Sequence, residues 1–447
     1  MSVSDRLAAH VAGARWDELP AEARQAARRV LLDATGVIYA ASGLAPEAQP
    51  FIALAAGQPG PCHVLGSGVA STPQGAALAN GALAHAVDFE DAFDRAPGHP
   101  NASLVPALLA LAQAEGPVDG KRLLTAIAVG GDLACRMALA LQRPMEDGGW
   151  YPPPIVAAYG AAAGAACLLG LDARQVRDAL SLTLCQATMP GEIKHSRGTV
   201  LRAVREAFPA QAAVTSVLLA RAGTAGFEQP LEGPAGFYAL YGGGSFDEEV
   251  LFDGIGQRFW GTELTFKPWP SCRGTHPFIE MALSLANGPA VEQVTVSIDP
   301  VQRMLVDPPA RKRAPATVID AKFSIPFCVA LALVRGKVTL ADFDTNTLAD
   351  PRLLALANKI TVNVDEHPAW TLGSGGALSA CLADGSEVSR EVTTARGAPA
   401  HPLADADLIG KFVDCCGFAA HPPADPGGLA EAIMTSEDVP DAGALFA

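Results

Sequence analysis

The sequence predicts a mainly α protein built from a large all-helical domain and a second, smaller α+β domain. Apolar residues recur at helical intervals through the first 246 residues, the period changes around residues 256–270, and helical patterns return near the C-terminus. A chain of 447 residues is also too long for one ordinary hydrophobic core. The predicted all-helical domain spans residues 1–255 and 400–447, and the predicted α+β domain spans residues 256–399.

Helices of the first domain are predicted from apolar spacing together with residues that favour helix ends. Asp172 can cap the helix after it, and Gly223 can end the helix before it. The uncharged run over residues 150–171 is rich in alanine and glycine, which suits a buried helix better than a membrane span. The predicted helices cover residues 7–14, 21–42, 74–91, 103–115, 121–141, 156–169, 173–187 and 202–222.

Strands of the second domain are predicted from alternating apolar residues over 291–299 and 359–365 and from a hairpin over 377–393. Asp384 and Gly385 form the typical pair for the hairpin turn. Helical patterns over residues 326–336 and 350–358 lie between these strands, which makes the domain α+β. The helices that return the chain to the first domain are predicted at residues 405–415 and 426–434.

The composition of the chain argues against some classes of binding partner. Lysines and arginines total 32 against 47 aspartates and glutamates, and the net charge of −15 argues against nucleic acid or a membrane as a partner. Nine cysteines without regular spacing indicate reduced thiols, and the charged N-terminus lacks a secretory apolar run, so we expect a cytoplasmic protein. Two local basic clusters are compatible with a small anionic substrate, although each could also be a solvated face. One comprises Lys194, His195, Arg197, Arg202 and Arg205, and the other comprises Lys267, Arg273 and His276.

The segment over residues 79–112 is where we predict the chemistry. If the helix continues to Asp91, then His85, Asp88 and Asp91 recur every three residues and share one helical face. His99 precedes Pro100, which suits the first turn of a new helix. The dipole of that helix favours a neutral imidazole, which can accept a proton.

Other interpretations of this segment remain open. His99 could cap a helix or satisfy a core contact, and Asp88 and Asp91 could line a solvated face. A metal site could use the same atoms. We predict none, because the chain has neither the HExxH spacing nor the paired CxxC spacing that makes such a signal specific.

Four sequence elements resemble the MmgE/PrpD family, and they occur in the family's order over nearly the whole chain. ANGALAHAVDFEDAF…GHP resembles the family's ANG…AHxxDFDD…HP signature, and FKPWPSCRGTH resembles its KPYPCCxxTH segment. AKFSIPFCVALALVRG is similar to AKFSxPYxVAxALxxG, and LEGPAGFYALY to LEGxxGFF. The resemblance implies a cofactor-independent enzyme, a homodimer, and a large helical domain with a smaller α+β domain that acts as a lid.

The resemblance also implies site residues and a class of reaction. Asp88, His99 and Lys267 match family motif positions. Arg202 falls at a lysine of the middle helical region, although Lys194 or His195 could take that position instead. The expected chemistry is removal of a proton next to a carboxylate by His99, with Asp88 orienting a histidine or carrying a proton. Positive charge from Lys267, Arg202 and Arg273 would stabilise the enolate-like intermediate. The expected substrate-binding residues are Asp91, Lys194, His195, Cys272, Arg273 and His276.

Departures from the family pattern help to choose among reactions. Cis-aconitate decarboxylases have a threonine where this chain has Ala92, and their catalytic histidine in the KP segment aligns with Cys272. A frequent family tyrosine falls at Phe327. The sequence therefore favours a lyase that removes water from a small di- or tricarboxylate, as a 2-methylcitrate dehydratase does. Alternatives are an epimerase or isomerase of an iminodisuccinate-like dicarboxylate, a cis-aconitate-type decarboxylase, and a non-enzyme that binds an anionic metabolite.

Overall fold

A computed structural model describes residues 1–96, 98–196 and 198–447. These residues are mainly helical, with one four-stranded and one two-stranded sheet, which confirms the predicted fold class. The described chain divides into two compact units. The first unit comprises Met1–Ala86, Glu90–Leu264 and Ala404–Ala447, and the second comprises Val87–Phe89 and Thr265–Leu403.

The helices fall close to the predicted positions through most of the chain. Asp172 caps its helix with a reciprocal side-chain bond to Gln175, and Gly223 follows its helix with a φ of +95°. In chain order the helices are α1 Val3–Gly13, α2 Ala21–Leu44, α3 Gln49–Ala56, α4 Pro73–Ala86, α5 Asn101–Glu115, α6 Gly120–Leu139, α7 Pro152–Leu169, α8 Ala173–Leu184, α9 Leu201–Val204, α10 Ala207–Arg221, α11 Phe237–Tyr241, α12 Glu248–Phe252, α13 His276–Leu285, α14 Pro309–Arg313, α15 Val318–Lys322, α16 Ile325–Arg335, α17 Thr345–Leu348, α18 Pro351–Asn358, α19 Asp405–Cys416 and α20 Pro426–Met434.

Glycine and alanine allow α6 and α7 to pack with their backbones in close approach. A Cβ atom added at Gly130 would lie 2.6 Å from the carbonyl oxygen of Gly160, and the reverse substitution meets the same clash. By length and composition α7 could cross a membrane, but it is almost entirely buried within the first unit, as predicted for a core helix.

Two helix predictions in the first unit are wrong. The helix predicted over residues 74–91 ends at Ala86, and the helix predicted over 202–222 is broken between Val204 and Ala207. Pro209 explains the second break, because proline fits the first turn of α10 but would remove a hydrogen bond from a continuous helix. The sequence analysis also missed the short hairpin of β1 Cys62–Val64 and β2 Val69–Ser71, because three-residue strands are too short to show alternation.

The second unit contains a four-stranded sheet. Its strands are β3 Val291–Ile298, β4 Ile360–Val364, β5 Gly376–Leu382 and β6 Glu387–Val392, in the order β4-β3-β5-β6. β3 pairs parallel with β4 and antiparallel with β5, and Val296 lies opposite Val362 and Leu378. Val294, Val296 and Ile298 are fully buried in one apolar core with residues of α13 and α16. The predicted turn is present, with Gly385 at a φ of +83°.

Candidate active site

Two histidines and one glutamate form a buried cluster in the first unit. His85 lies in the last turn of α4, and His99 lies two residues before α5. The Nδ1 atom of His85 is 2.5 Å from Glu90 Oε1, and Nδ1 of His99 is 2.9 Å from the same oxygen. The side chains of His85 and Glu90 are fully buried, whereas 17% of the His99 side chain is exposed. His99 is therefore the member of the cluster that an external molecule can reach.

Sequence reasoning missed Glu90, although it lies between the two predicted acids of the motif. The expected helical face of His85, Asp88 and Asp91 does not form, because α4 ends at Ala86 and Asp88 has a left-handed backbone with a φ of +52°. Asp88 belongs to the second unit, whereas Glu90 and Asp91 belong to the first. The acids of one motif are thus divided between two environments.

Asp91 is a buried carboxyl group with an altered pKa. Its Oδ2 accepts a hydrogen bond of 3.0 Å from Asn101 Nδ2. Burial raises the pKa of Asp91 to about 7; the negative charge of Asp33 adds to this, while Asn101 and His99 oppose it. Asp33 is itself ion-paired with Lys411 at 2.7 Å. Asp91 therefore lies close to half-protonated near neutral pH.

This pKa gives a testable pH dependence of stability. Between pH 4 and 7 the folded state binds about one more proton than the unfolded state, so the free energy of unfolding falls as pH rises. In Asp91→Asn this fall should be smaller, by up to about 4 kcal/mol between pH 4 and 8. Urea unfolding at several pH values measures it. Asp147→Asn, at an exposed side chain, is the control, and equal pH slopes for Asp91→Asn and the wild type would contradict the assignment.

The same cluster is the set of described residues whose donor atoms could hold a metal ion. One nitrogen or oxygen atom each from His85, Glu90 and His99 lies within 4.8 Å of the others. Two ligand atoms on one zinc ion lie about 3.3 Å apart when each bond is about 2.0–2.1 Å. The distances of 2.5 and 2.9 Å to Glu90 Oε1 are shorter, and they belong to a hydrogen bond from His85 and an ion-pair contact with His99. The cluster therefore fits a hydrogen-bonded triad better than a metal centre.

The second unit holds a buried ion pair between Lys267 and Asp88. Lys267 Nζ lies 2.6 Å from Asp88 Oδ1 and donates a hydrogen bond of 3.2 Å to the Asp88 carbonyl oxygen. Both side chains are almost fully buried. Lys322 Nζ donates a further bond of 2.5 Å to the carbonyl oxygen of Val87. These contacts offset the cost of the left-handed conformation at Asp88, which aspartate tolerates better than most residues.

The other predicted residues of the second unit take part in its internal framework. Arg273 donates hydrogen bonds of 2.8 and 2.9 Å to the carbonyl oxygens of Ala395 and Arg396. His276 is fully buried, and its Nε2 lies 3.1 Å from the carbonyl oxygen of Ser271. Cys272 is half-buried. Arg273 therefore connects two segments of the unit.

The basic segment of the first unit divides into exposed and buried parts, and Arg197 lies outside the residues that the structure describes. Lys194 forms an exposed ion pair with Glu146 at 3.4 Å, His195 is exposed, and Arg202 is half-buried on α9. Arg205 is almost fully buried and donates hydrogen bonds to Glu206 and to the hydroxyl of Tyr151. Arg205 was part of the basic cluster in the sequence, but its buried partners could not be inferred from spacing.

Two models of one protein family match this chain. The MmgE/PrpD N-terminal domain matches residues 5–249, and the MmgE/PrpD C-terminal domain matches residues 269–424. Together they cover most of the chain. The protein belongs to the MmgE/PrpD family, as the sequence motifs indicated.

Relatives at low identity carry the names of two activities. The chain is 27% identical to cis-aconitate decarboxylase of Homo sapiens over 356 residues, which cover 76% of this chain and 72% of the relative. It is 25% identical to cis-aconitate decarboxylase of Aspergillus terreus over 428 residues, 89% of this chain and 85% of the relative. It is 27% identical to 2-methylcitrate dehydratase of Escherichia coli K12 over 326 residues, 67% of this chain and 64% of the relative.

Proposed function

We propose that this protein is a cofactor-independent lyase that removes a proton next to a carboxylate of a small di- or tricarboxylate and then releases water. The observation that carries the proposal is the geometry of His99. Its Nδ1 lies 2.8 Å from the carbonyl oxygen of Asp91 and 2.9 Å from Glu90 Oε1. A carbonyl oxygen can only accept, so Nδ1 carries the proton and Nε2 keeps its lone pair. A partly exposed imidazole in this tautomer is suited to act as a general base.

In this proposal Lys267, held in position by Asp88, stabilises the negative charge that forms on the substrate. Removal of a proton next to a carboxylate places negative charge on that carboxylate, and an ammonium group in a dry environment stabilises such charge strongly. The ion pair with Asp88 fixes the position of the Lys267 ammonium group. The same ammonium group can protonate the departing hydroxyl group, so that the C–O bond breaks with release of water. Arg202 is proposed to bind a substrate carboxylate, since a guanidinium group offers two parallel donors.

The relatives support a carboxylate substrate but do not decide between loss of water and loss of carbon dioxide. Three positions of this chain favour loss of water. Ala92 has no hydroxyl group, Cys272 replaces an imidazole with a thiol, and Phe327 is fully buried in the apolar core of the second unit. The decarboxylase pattern has a hydroxyl group and an imidazole at the first two positions, and a frequent family tyrosine falls at the third, so this chain has fewer or weaker proton donors and acceptors there.

Proton NMR of the purified protein in deuterated water tests the proposed reaction. The substrates are 2-methylcitrate, citrate, cis-aconitate and iminodisuccinate, each added separately. The expected result is a new vinyl signal from citrate, or replacement of the methyl doublet of 2-methylcitrate by a singlet from a methyl group on a double bond. Deuterium exchange without a change in carbon skeleton would replace the proposal with an epimerase, and loss of a carboxyl carbon would replace it with a decarboxylase. No change with any of the four compounds would contradict a lyase for this substrate class.

A further inference from the structure

Glu90 lies next to the ring nitrogens of two histidines. One oxygen, Oε1, lies within hydrogen-bond distance of Nδ1 of both His85 and His99. A carboxylate oxygen has lone pairs for two donors, and the ionised form of Glu90 is the one that stabilises positive charge on either imidazole. The Nδ1–H of His99 donates to the carbonyl oxygen of Asp91, and Glu90 Oε1 lies 2.9 Å from the same nitrogen, within ion-pair distance. An ionised Glu90 in this position accepts a hydrogen bond from Nδ1–H of His85 and pairs electrostatically with His99.

Burial makes this arrangement energetically important. Glu90 and His85 have no solvent-exposed side-chain surface, so water does not compete for their hydrogen bonds. A carboxylate in such surroundings strongly stabilises a positive charge that appears on a neighbouring imidazole. Removal of one partner would leave the others with unmet hydrogen-bonding capacity, which costs more than the bond itself contributes.

We propose that Glu90 is a positioning residue for the base His99, and that His85 holds Glu90 in place. This inference rests on the proposed function, because it assigns a role within the same proton transfer. During the reaction the substrate C–H bond breaks, its electron pair stays on the substrate, and the proton forms a bond to His99 Nε2. The Nδ1–H of His99 stays in place, and Glu90 stabilises the imidazolium without taking its proton, as the aspartate of a serine-protease triad does.

The length of the Glu90 side chain determines how far its carboxylate reaches. The family signature quoted above has aspartate in the third position of DFDD, whereas this chain has glutamate. A glutamate carboxylate lies one methylene further from the backbone, and here it reaches both imidazoles with a single oxygen. Shortening the side chain retains the charge but withdraws the carboxylate from at least one imidazole. Glu90→Asp therefore separates the effect of charge from the effect of reach.

The first experiment needs no substrate. Nitrogen-15 NMR of protein labelled at histidine reports which ring nitrogen is protonated, and His99→Asn and His85→Asn assign the two signals. We expect both histidines, in the neutral form, to be protonated at Nδ1 and unprotonated at Nε2. A neutral His99 protonated at Nε2 would overturn the proposal, and so would one stoichiometric metal ion that is lost in all three variants His85→Asn, Glu90→Gln and His99→Asn. This result is independent of whether the protein turns over any of the four carboxylates.

The second experiment measures turnover of whichever of the four carboxylates reacts. Glu90→Gln should lower kcat by about 10²-fold or more and change KM by less than about threefold, since the lost charge acts mainly when the imidazolium forms. The kcat of Glu90→Asp should be at least about tenfold higher than that of Glu90→Gln. His85→Asn should lower kcat by about tenfold, because it frees the carboxylate to move.

A control variant separates this role from general effects of neutralising a buried carboxylate. Asp132 is buried in the first unit, where it accepts from the backbone N–H of Trp260 and from Arg136 at 2.7 Å. Asp132→Asn should lower stability but leave kcat within about threefold. Equal kcat values for Glu90→Gln and the wild type, or an equal loss in Glu90→Gln and Asp132→Asn, would overturn the positioning role. Absence of turnover in the wild type, together with the expected histidine tautomers, would contradict the proposed function and leave the hydrogen-bonded triad intact.

Discussion

His99→Asn is expected to lower kcat by about 10²–10⁴-fold, the usual contribution of a well-placed proton-transfer group. Asparagine can still donate to the carbonyl oxygen of Asp91, which now accepts from the histidine ring at 2.8 Å, so the local fold should persist. It has no basic nitrogen to take the substrate proton. KM should change by less than about threefold, because the lost interaction acts in the transition state.

Steady-state kinetics and urea unfolding of the same preparation measure this effect. His421→Asn is the matched control, since His421 is an exposed histidine of the same unit. The control should match the wild type in both kcat and stability. If His99→Asn retained more than about a tenth of the wild-type kcat, another group would have to be the base.

The second large effect is expected for Lys267→Met. The substitution removes the positive partner of Asp88 and leaves a buried carboxylate, which typically costs about 3–5 kcal/mol of stability. It also removes the charge proposed to stabilise the intermediate, so kcat should fall by more than about tenfold, equivalent to roughly 1.4 kcal/mol of barrier. Denaturant unfolding and steady-state kinetics measure the two effects separately.

A double variant separates folding from catalysis at this position. Lys267→Met combined with Asp88→Asn removes both charges, so it should recover much of the lost stability. It should not recover kcat. A double variant as active as the wild type would show that the ion pair serves the fold alone, and a single variant as stable as the wild type would contradict the buried pair.

The sequence predicted those parts of the fold that local interactions determine. The cap of α8 depends on Asp172 and Gln175, three residues apart, and the turn between β5 and β6 depends on Asp384 and Gly385. Apolar periodicity likewise located α2, α6 and α7, because each buries a wide face over many turns. These features need no knowledge of distant residues.

The end of α4 depends on distant residues, and the sequence analysis placed it five residues too late. Asp88 adopts a left-handed backbone while Lys267 and Lys322, more than 170 positions away in the chain, bind its segment. Helical periodicity carries no information about those contacts. The same limit explains why Asp88 and Asp91 were expected on one helical face.

The sequence predicted several residues of the candidate site but not the hydrogen bonds and ion pairs between them. His99 and Lys267 stood out from motif resemblance and from chemistry, and both lie in polar clusters of the described structure. Glu90 was overlooked, because one acid among several neighbours has no distinguishing spacing. Only its position relative to both histidines reveals the shared oxygen. Hydrogen-bond partners of buried groups depend on tertiary structure, which single-sequence patterns do not encode.

Deuterium incorporation at the carbon next to the substrate carboxylate tests the central claim most directly. Proton NMR in deuterated water follows this exchange for the wild type and for His99→Asn with 2-methylcitrate. We expect the wild type to remove that proton with release of water, and we expect a rate at least about 100-fold lower in the variant. Equal rates in the two proteins, or no change at that carbon in the wild type, would contradict the assignment of His99 as the base of a carboxylate lyase.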